Sequence, residues 1–283
     1  MLRHPLPRAR QLSTWDCGLA CAEMVLLAAA LPASALAAEH AERSVWTVDL
    51  AVLLAARGLR GLALHTAVAG VAEGHARLDF YERLDRDRER VPLQFERLSE
   101  LAREAARVAA RVAAREVEDG TSPTAHSLAA APLAAAAQPT GPAAPDDKAL
   151  LASLESLRGL VQLRVGERLP QSRLLRLLAA RRAIFISLVD ARFLHCSHCS
   201  PTALTATAPA AAADEAAAYR GHFVVLTGFD GVEIEYVDPN SAATRCFAPP
   251  ADVERARSSE GTDDDVIEIL DDDGRPALVR SAS

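Results

Sequence analysis

Apolar residues recur at helical spacing in the first part of the chain and at strand spacing in its last third, so helices are expected first and a sheet afterwards. Cys17 to Leu31 reads CGLACAEMVLLAAAL. Leu19, Met24, Leu27 and Leu31 fall in one apolar band, and Pro32 closes the helix. A second helix opens at Ser44-Val-Trp-Thr-Val-Asp49, capped by Ser44 or Thr47. Leu50, Leu53 and Leu54 form its buried stripe and Gly58 its stop. Leu62–Thr66 is a short strand. From Asp79 to Arg115 the chain is charged and helical, with Phe80, Tyr81, Leu84, Val91, Leu93 and Phe95 as apolar contacts; Pro92 is expected to break it in two. Arg103, Arg107, Arg111 and Arg115 repeat every four residues and read as a solvated face paired with Glu100, Glu104 and Glu116.

Further on, Leu160–Val165 predicts a strand, Gln171–Arg181 a helix and Ala183–Val189 a buried strand. Phe223–Thr227 is a strand, Asp230-Gly231 a hairpin signal, and Val232–Val237 alternates as a half-buried partner. Thr244–Phe247, a short helix at Asp252–Arg257 and a last strand at Val266–Leu270 complete the order. The class is α+β, a helical half packed on an antiparallel sheet. Residues 118–147 and 200–218 are rich in Ala, Pro and Thr and lack periodic large apolar residues, so both read as disordered insertions within one domain spanning 1–283.

Composition changes this picture in three ways. Half the residues are hydrophobic, but about 59 are alanine, roughly a fifth of the chain, so core-forming content is lower than that share suggests. The net charge of −7 and pI near 5.7 argue against nucleic-acid or anionic-membrane partners, which need a basic face. The apolar stretch Met24–Ala38 is too short to span a bilayer, no secretory signal opens the chain, and five cysteines at low density fit a reducing compartment. A cytoplasmic location is expected. Oligomeric state is not legible.

The segment Gln11-Leu-Ser-Thr-Trp-Asp-Cys17-Gly18 carries candidate chemistry. A cysteine in the first turn of a helix sits at the positive end of the macrodipole, which favours thiolate. Gly18 permits close backbone approach, and the Gln11 amide could join the Cys17 N–H as an oxyanion donor. Cys21 lies one turn on and reads as packing. A base would come from His222, oriented by Asp238. A three-residue loop, Phe229 to Gly231, would pair positions summing to 460 and set His222 opposite Asp238 on one face; a two-residue loop would put them on opposite faces. Trp15 and Trp46 read as core or groove wall.

Gln-x5-Cys-Gly opening a helix, followed by Gly221-His-Phe-Val-Val-Leu226 and Asp238-Pro239, resembles papain-like cysteine peptidases of the bacteriocin-processing, C39-like type. More closely, the chain resembles the guanylyl cyclase domain-containing family that includes plant soluble guanylyl cyclases. Trp15–Val25, Ser44–Leu50, Phe80-Tyr81, Leu194–Cys199, Tyr219–Phe229, Tyr236–Asn240 and Gly261–Asp265 carry that likeness in order along the chain. The first resemblance implies a papain-like fold and an intracellular thiol hydrolase acting on a peptide, protein or small molecule, with no cofactor. Cys17 would be nucleophile, His222 base and then acid, Asp238 the orienting group and Gln11 the oxyanion donor. The second implies conversion of GTP to cyclic GMP with Mg²⁺ or Mn²⁺. The residues do not account for that reaction, since no Gly-rich phosphate loop or spaced carboxylate pair is evident. Asp263–Asp265 and Asp271–Asp273 read as solvated turns. A non-catalytic interaction protein on the same fold is the third alternative.

His195, Cys196 and Cys199 are weak metal candidates. One CxxC supplies a single pair where structural zinc wants four ligands, Cys246 could serve as a remote one, and the expectation is no bound metal.

Overall fold

The computed structural model describes residues 6–33, 36, 43–118, 160–199 and 218–270, with residues 112–118 described by backbone alone. The segments 118–147 and 200–218 fall outside the described residues except at their edges. The elements are α1 (Cys17–Ala28), α2 (Thr47–Ala56), β1 (Leu62–Thr66), a 3₁₀ turn (Glu73–Arg77), α3 (Leu84–Glu118), β2 (Val161–Val165), α4 (Gln171–Ala179), β3 (Ala183–Asp190), β4 (Gly221–Phe229), β5 (Ile234–Val237), β6 (Cys246–Ala248), α5 (Pro250–Arg257) and β7 (Val266–Leu270).

The seven strands form one sheet in the order β2-β1-β7-β3-β4-β5-β6. The α+β class stands, but the sheet is mixed: β1 and β2 run parallel, and the remaining pairs are antiparallel. A parallel pair needs a long crossover, and the chain between β1 and β2, carrying α3, provides it. Helices also cover both faces rather than one. Leu64, Ile186, Val225 and Ile267 pack under α1, α2 and α3, whereas Phe185, Val224, Leu226 and Ile234 pack under α4 and α5. A strand buried on both faces reads as a continuous apolar run, as β3 does.

Helix α1 is enclosed almost all round. Val25 and Leu26 are buried beside Leu19 and Met24, while Leu27, expected in the buried band, is exposed. Its small residues allow close approach: a Cβ on Gly18 would lie 2.9 Å from Leu50 Cδ1 and 2.9 Å from Phe223 Cδ2. Gly18→Ala should therefore destabilise the protein by about 1–3 kcal/mol through overpacking, measured by denaturant unfolding. Helix α2 is capped by neither Ser44 nor Thr47. Trp46 is the N-cap residue, and Asp49 Oδ2 accepts its N–H at 2.9 Å. Arg90 of α3 holds the other Asp49 oxygen at 2.6 Å, and Ser44 Oγ donates to Asp87. Gly58, at φ +94, ends the helix as expected, with Leu59 N donating back to Leu54 O.

Pro92 does not split α3, which runs unbroken through it. The carbonyl left without an N–H belongs to Arg88, an exposed residue, so water can satisfy it. Val91, Leu98 and Ala105 form the buried seam of this helix, while Leu93 points to solvent. Among the described residues, no helix is long and apolar enough to cross a membrane.

Candidate active site

Asp16 sets the start of α1. Its carboxylate accepts the N–H groups of Leu12 at 3.1 Å and Ser13 at 3.0 Å, folding residues 11–16 into a turn that delivers Cys17 to the first helical position. The Asp16 side chain is thus used by the loop, and no side chain caps the helix. The first-turn N–H groups keep their positive end for the Cys17 sulfur.

His222 lies at the start of β4 and Asp238 just past β5. Val225 pairs with Val237 and Leu226 with Tyr236, but beyond an irregularity at Thr227 the pairs become Gly228 with Glu235 and Phe229 with Ile234. The register expected from a three-residue loop is therefore not the one adopted. The extra residue is decisive, because without this bulge the register near the turn would put His222 and Asp238 on opposite faces. With it they share a face as a diagonal pair, and His222 Nε2 meets Asp238 Oδ1 at 2.8 Å. Asn240 N donates to the same carboxylate oxygen at 2.7 Å.

The Cys17 thiol adjoins the His222 ring, whose Nε2 is taken by Asp238. Burial opposes protonation of His222, but the bonds to Asp238 and Cys17 outweigh it and push its pKa up to about 10. Burial likewise opposes ionisation of Asp238, yet the His222 partner holds its carboxyl below the usual range. The histidine's contribution to stability is complete below about 6.5 and is lost as pH climbs to about 10. That of Asp238 is lost only in acid, below the ordinary carboxylate pKa. Cys21 donates to Phe223 O at 3.4 Å, and burial first, then the nearby Cys17 and Asp238, push its thiol up. That is a packing role.

Gln11 is held beside this group without pointing its amide N–H at it. Its backbone N–H bonds Pro239 O at 3.2 Å, its Nε2 donates to Ser13 O at 3.0 Å, and its Oε1 is buried without a partner among the described residues. An oxyanion role would require the amide to leave Ser13.

Cys17 opens onto a cleft of about 450 Å³ walled by Trp15, Trp46, Phe80, Tyr81 and Phe223, with Arg43, Glu82, Arg83 and Asp87 among its charged groups. A family profile described as "Guanylylate cyclase" matches residues 6–117 and 161–269, a span that holds Cys17, His222, Asp238 and the cleft wall. The chain belongs to the guanylylate cyclase family. It is 39% identical to "Guanylyl cyclase 1" of Arabidopsis thaliana over 100 residues, which cover 34% of this chain and 36% of that protein, so the alignment spans about a third of the relative. No solved structure matches the chain.

Within this guanylylate cyclase family chain, a second polar cluster backs the cleft, where the sequence predicts a solvated acidic turn. Gly261, Asp263 and Asp264 all have positive φ, at 97°, 51° and 52°. This turn presents Gly261 O to the hydroxyls of Tyr81 at 2.6 Å and Tyr219 at 2.9 Å. Asp263 Oδ2 lies 3.1 Å from His75 Nε2, and His75 in turn packs on Trp46 and Tyr81. Asp264 pairs with Arg168 at 3.0 Å. Asp265 is buried rather than solvated. Burial pushes its pKa up to about 8, against the opposing pull of the Thr47 and Thr66 hydroxyls, with Asp263 and Asp264 raising it further. A carboxyl whose folded pKa exceeds its unfolded value loses its contribution to stability as pH rises from about 4 towards 8. Asp265→Asn should therefore raise the melting temperature at pH 8 by about 2–4 °C per kcal/mol recovered, and the gain should shrink on acidification. Asp271–Asp273 lie outside the described residues.

Proposed function

We propose that this chain is an enzyme of its family and that the Cys17–His222–Asp238 cleft is its reaction centre. Two chemistries compete for that cleft. Conversion of GTP to cyclic GMP is the reading the comparisons favour, because the family description and the Arabidopsis relative's name both point to it. The cleft suits such a substrate in part. Trp15, Trp46, Phe80 and Tyr81 offer faces to a purine, and Arg43 and Arg83 offer charge to phosphates. The reaction requires the ribose 3′-oxygen to attack the α-phosphorus, its proton to pass to a base, and pyrophosphate to leave. A resident two-ion clamp does not fit the cleft's own residues. Asp87 is bonded to Ser44 and Arg90, which leaves Glu82 as the other carboxylate there. Mg²⁺ or Mn²⁺ would instead arrive with GTP, bound through the triphosphate.

The second reading is thiol hydrolysis on a papain-like, C39-like scaffold, and an imidazole bonded to a carboxylate beside a helix-terminal thiol carries it. Cys17 sulfur would attack an acyl carbon of a peptide, protein or small molecule. His222 would pass its proton to the leaving group and then take one from the attacking water, with Asp238 holding the ring.

One paired experiment separates these readings. Purified protein is incubated with GTP and Mg²⁺ or Mn²⁺, cyclic GMP is measured by mass spectrometry, and a cysteine-directed electrophile is mapped in parallel. Cyclic GMP that disappears in His222→Ala supports the cyclase. Its absence, together with selective Cys17 labelling that needs His222, supports the hydrolase. Absence of both favours a non-catalytic interaction protein.

A further inference from the structure

Away from the cleft, the chain gathers three of its five cysteines. Cys196 and Cys199 lie in the turn after β3, and Cys246 opens β6 from a distant part of the sequence, yet their sulfur atoms all lie within 4.8 Å of one another. Four sulfurs at about 2.3 Å around a tetrahedral zinc stand about 3.8 Å apart. Cys199 Sγ and Cys246 Sγ are 3.8 Å apart, and both are free thiols.

The backbone reaches the first of these sulfurs. Phe247 N donates to Cys196 Sγ at 3.4 Å, and Ser197 N donates to Phe247 O at 2.8 Å, so β6 and the Cys-x-x-Cys turn are laced together around the first sulfur. N–H donors to sulfur stabilise the anionic form that a metal binds. The two histidines of this segment do not join the trio. His198 Nε2 bonds Glu233 at 2.8 Å and its ring stacks on Phe247, and His195 is not within reach of the three sulfurs. Ser241 Oγ stands 3.7 Å from Cys246 Sγ, where a fourth, oxygen ligand would sit.

We propose that Cys196, Cys199 and Cys246 form a zinc site, with the fourth position held by an oxygen ligand beside Ser241. Each thiol releases its proton to solvent as the metal binds. The site clips the β5–β6 loop, which bears Asp238 and Ser241, to the turn after β3. It rests on the sulfur geometry alone and holds whichever reaction the Cys17 cleft performs.

The test is elemental analysis of protein purified under reducing conditions, together with a cobalt titration of the wild type. Near-stoichiometric zinc in the wild type, His195→Ala and Cys17→Ser proteins, with loss to background in Cys246→Ser, is the expected result. Cobalt should add thiolate charge-transfer bands, and zinc should shield Cys196, Cys199 and Cys246 from alkylation; both readouts use the wild type and so survive a variant that fails to fold. Three observations would each overturn the proposal: no retained zinc and no thermal shift on adding it, unchanged zinc in Cys246→Ser, or a Cys199–Cys246 disulfide in the freshly purified protein.

Discussion

Replacing Cys17 with alanine should remove all thiol-directed turnover and all selective labelling by a small electrophile, while leaving the fold intact. The substitution deletes one atom at the first position of α1, where no side-chain hydrogen bond holds the helix start. His222→Ala should cost about 10²–10⁴ in rate, the usual share of general acid–base catalysis. Asp238→Asn should be milder, because an amide oxygen still accepts from the imidazole N–H. Gln11→Ala separates two roles: a loss of about 10²–10³ in kcat marks an oxyanion donor, and a small effect marks a residue that only ties its own loop to Ser13 and Pro239. A Cys17→Ala protein that labels like the wild type would end the thiol reading.

The largest effect on stability should come from Arg173. Glu268 lies on β7 in the middle of the sheet and is fully buried, with His65 Nε2 at 2.9 Å and Arg173 Nη2 at 2.6 Å. Burial works against its charge, but these two partners hold its carboxyl below the usual range. Arg173→Met leaves that carboxylate without its cation and should cost about 3–5 kcal/mol in denaturant unfolding. Adding Glu268→Gln should recover much of the loss, because the orphaned charge is then gone. If the double variant is no more stable than Arg173→Met, the loss comes from packing of the Arg173 stem instead.

Elements were legible because their signals are local. The strand at Val266–Leu270 and the helix beginning at Gln171 follow from periodicity within a few residues. The Cys17 helix start was readable in the same way, from Asp16-Cys-Gly followed by an apolar run. Failures occurred where a local rule met a distant partner. Pro92 remains helical because the Val91, Leu98 and Ala105 seam is packed on both sides of it. Asp265 reads as one of three acidic turn residues, yet the turn's left-handed backbone carries it inside beside Thr47 and Thr66.

By itself, the sequence determined the α+β class, the thiol at a helix N-terminus, and a histidine and aspartate on the two arms of one hairpin. Only the tertiary structure decided that these three meet. That depended on a bulge at Thr227, which moves the register by one residue and returns His222 and Asp238 to a common face. It depended also on α1 lying across β4, with Gly18 against Phe223, which brings the Cys17 sulfur to the ring. The same holds for Cys246, whose approach to Cys196 and Cys199 is set by the pairing of β6 with β5. Hydrophobic period and turn chemistry are written in neighbouring residues. Register and convergence depend on which surfaces pack against each other across the whole chain, and no single segment carries that information.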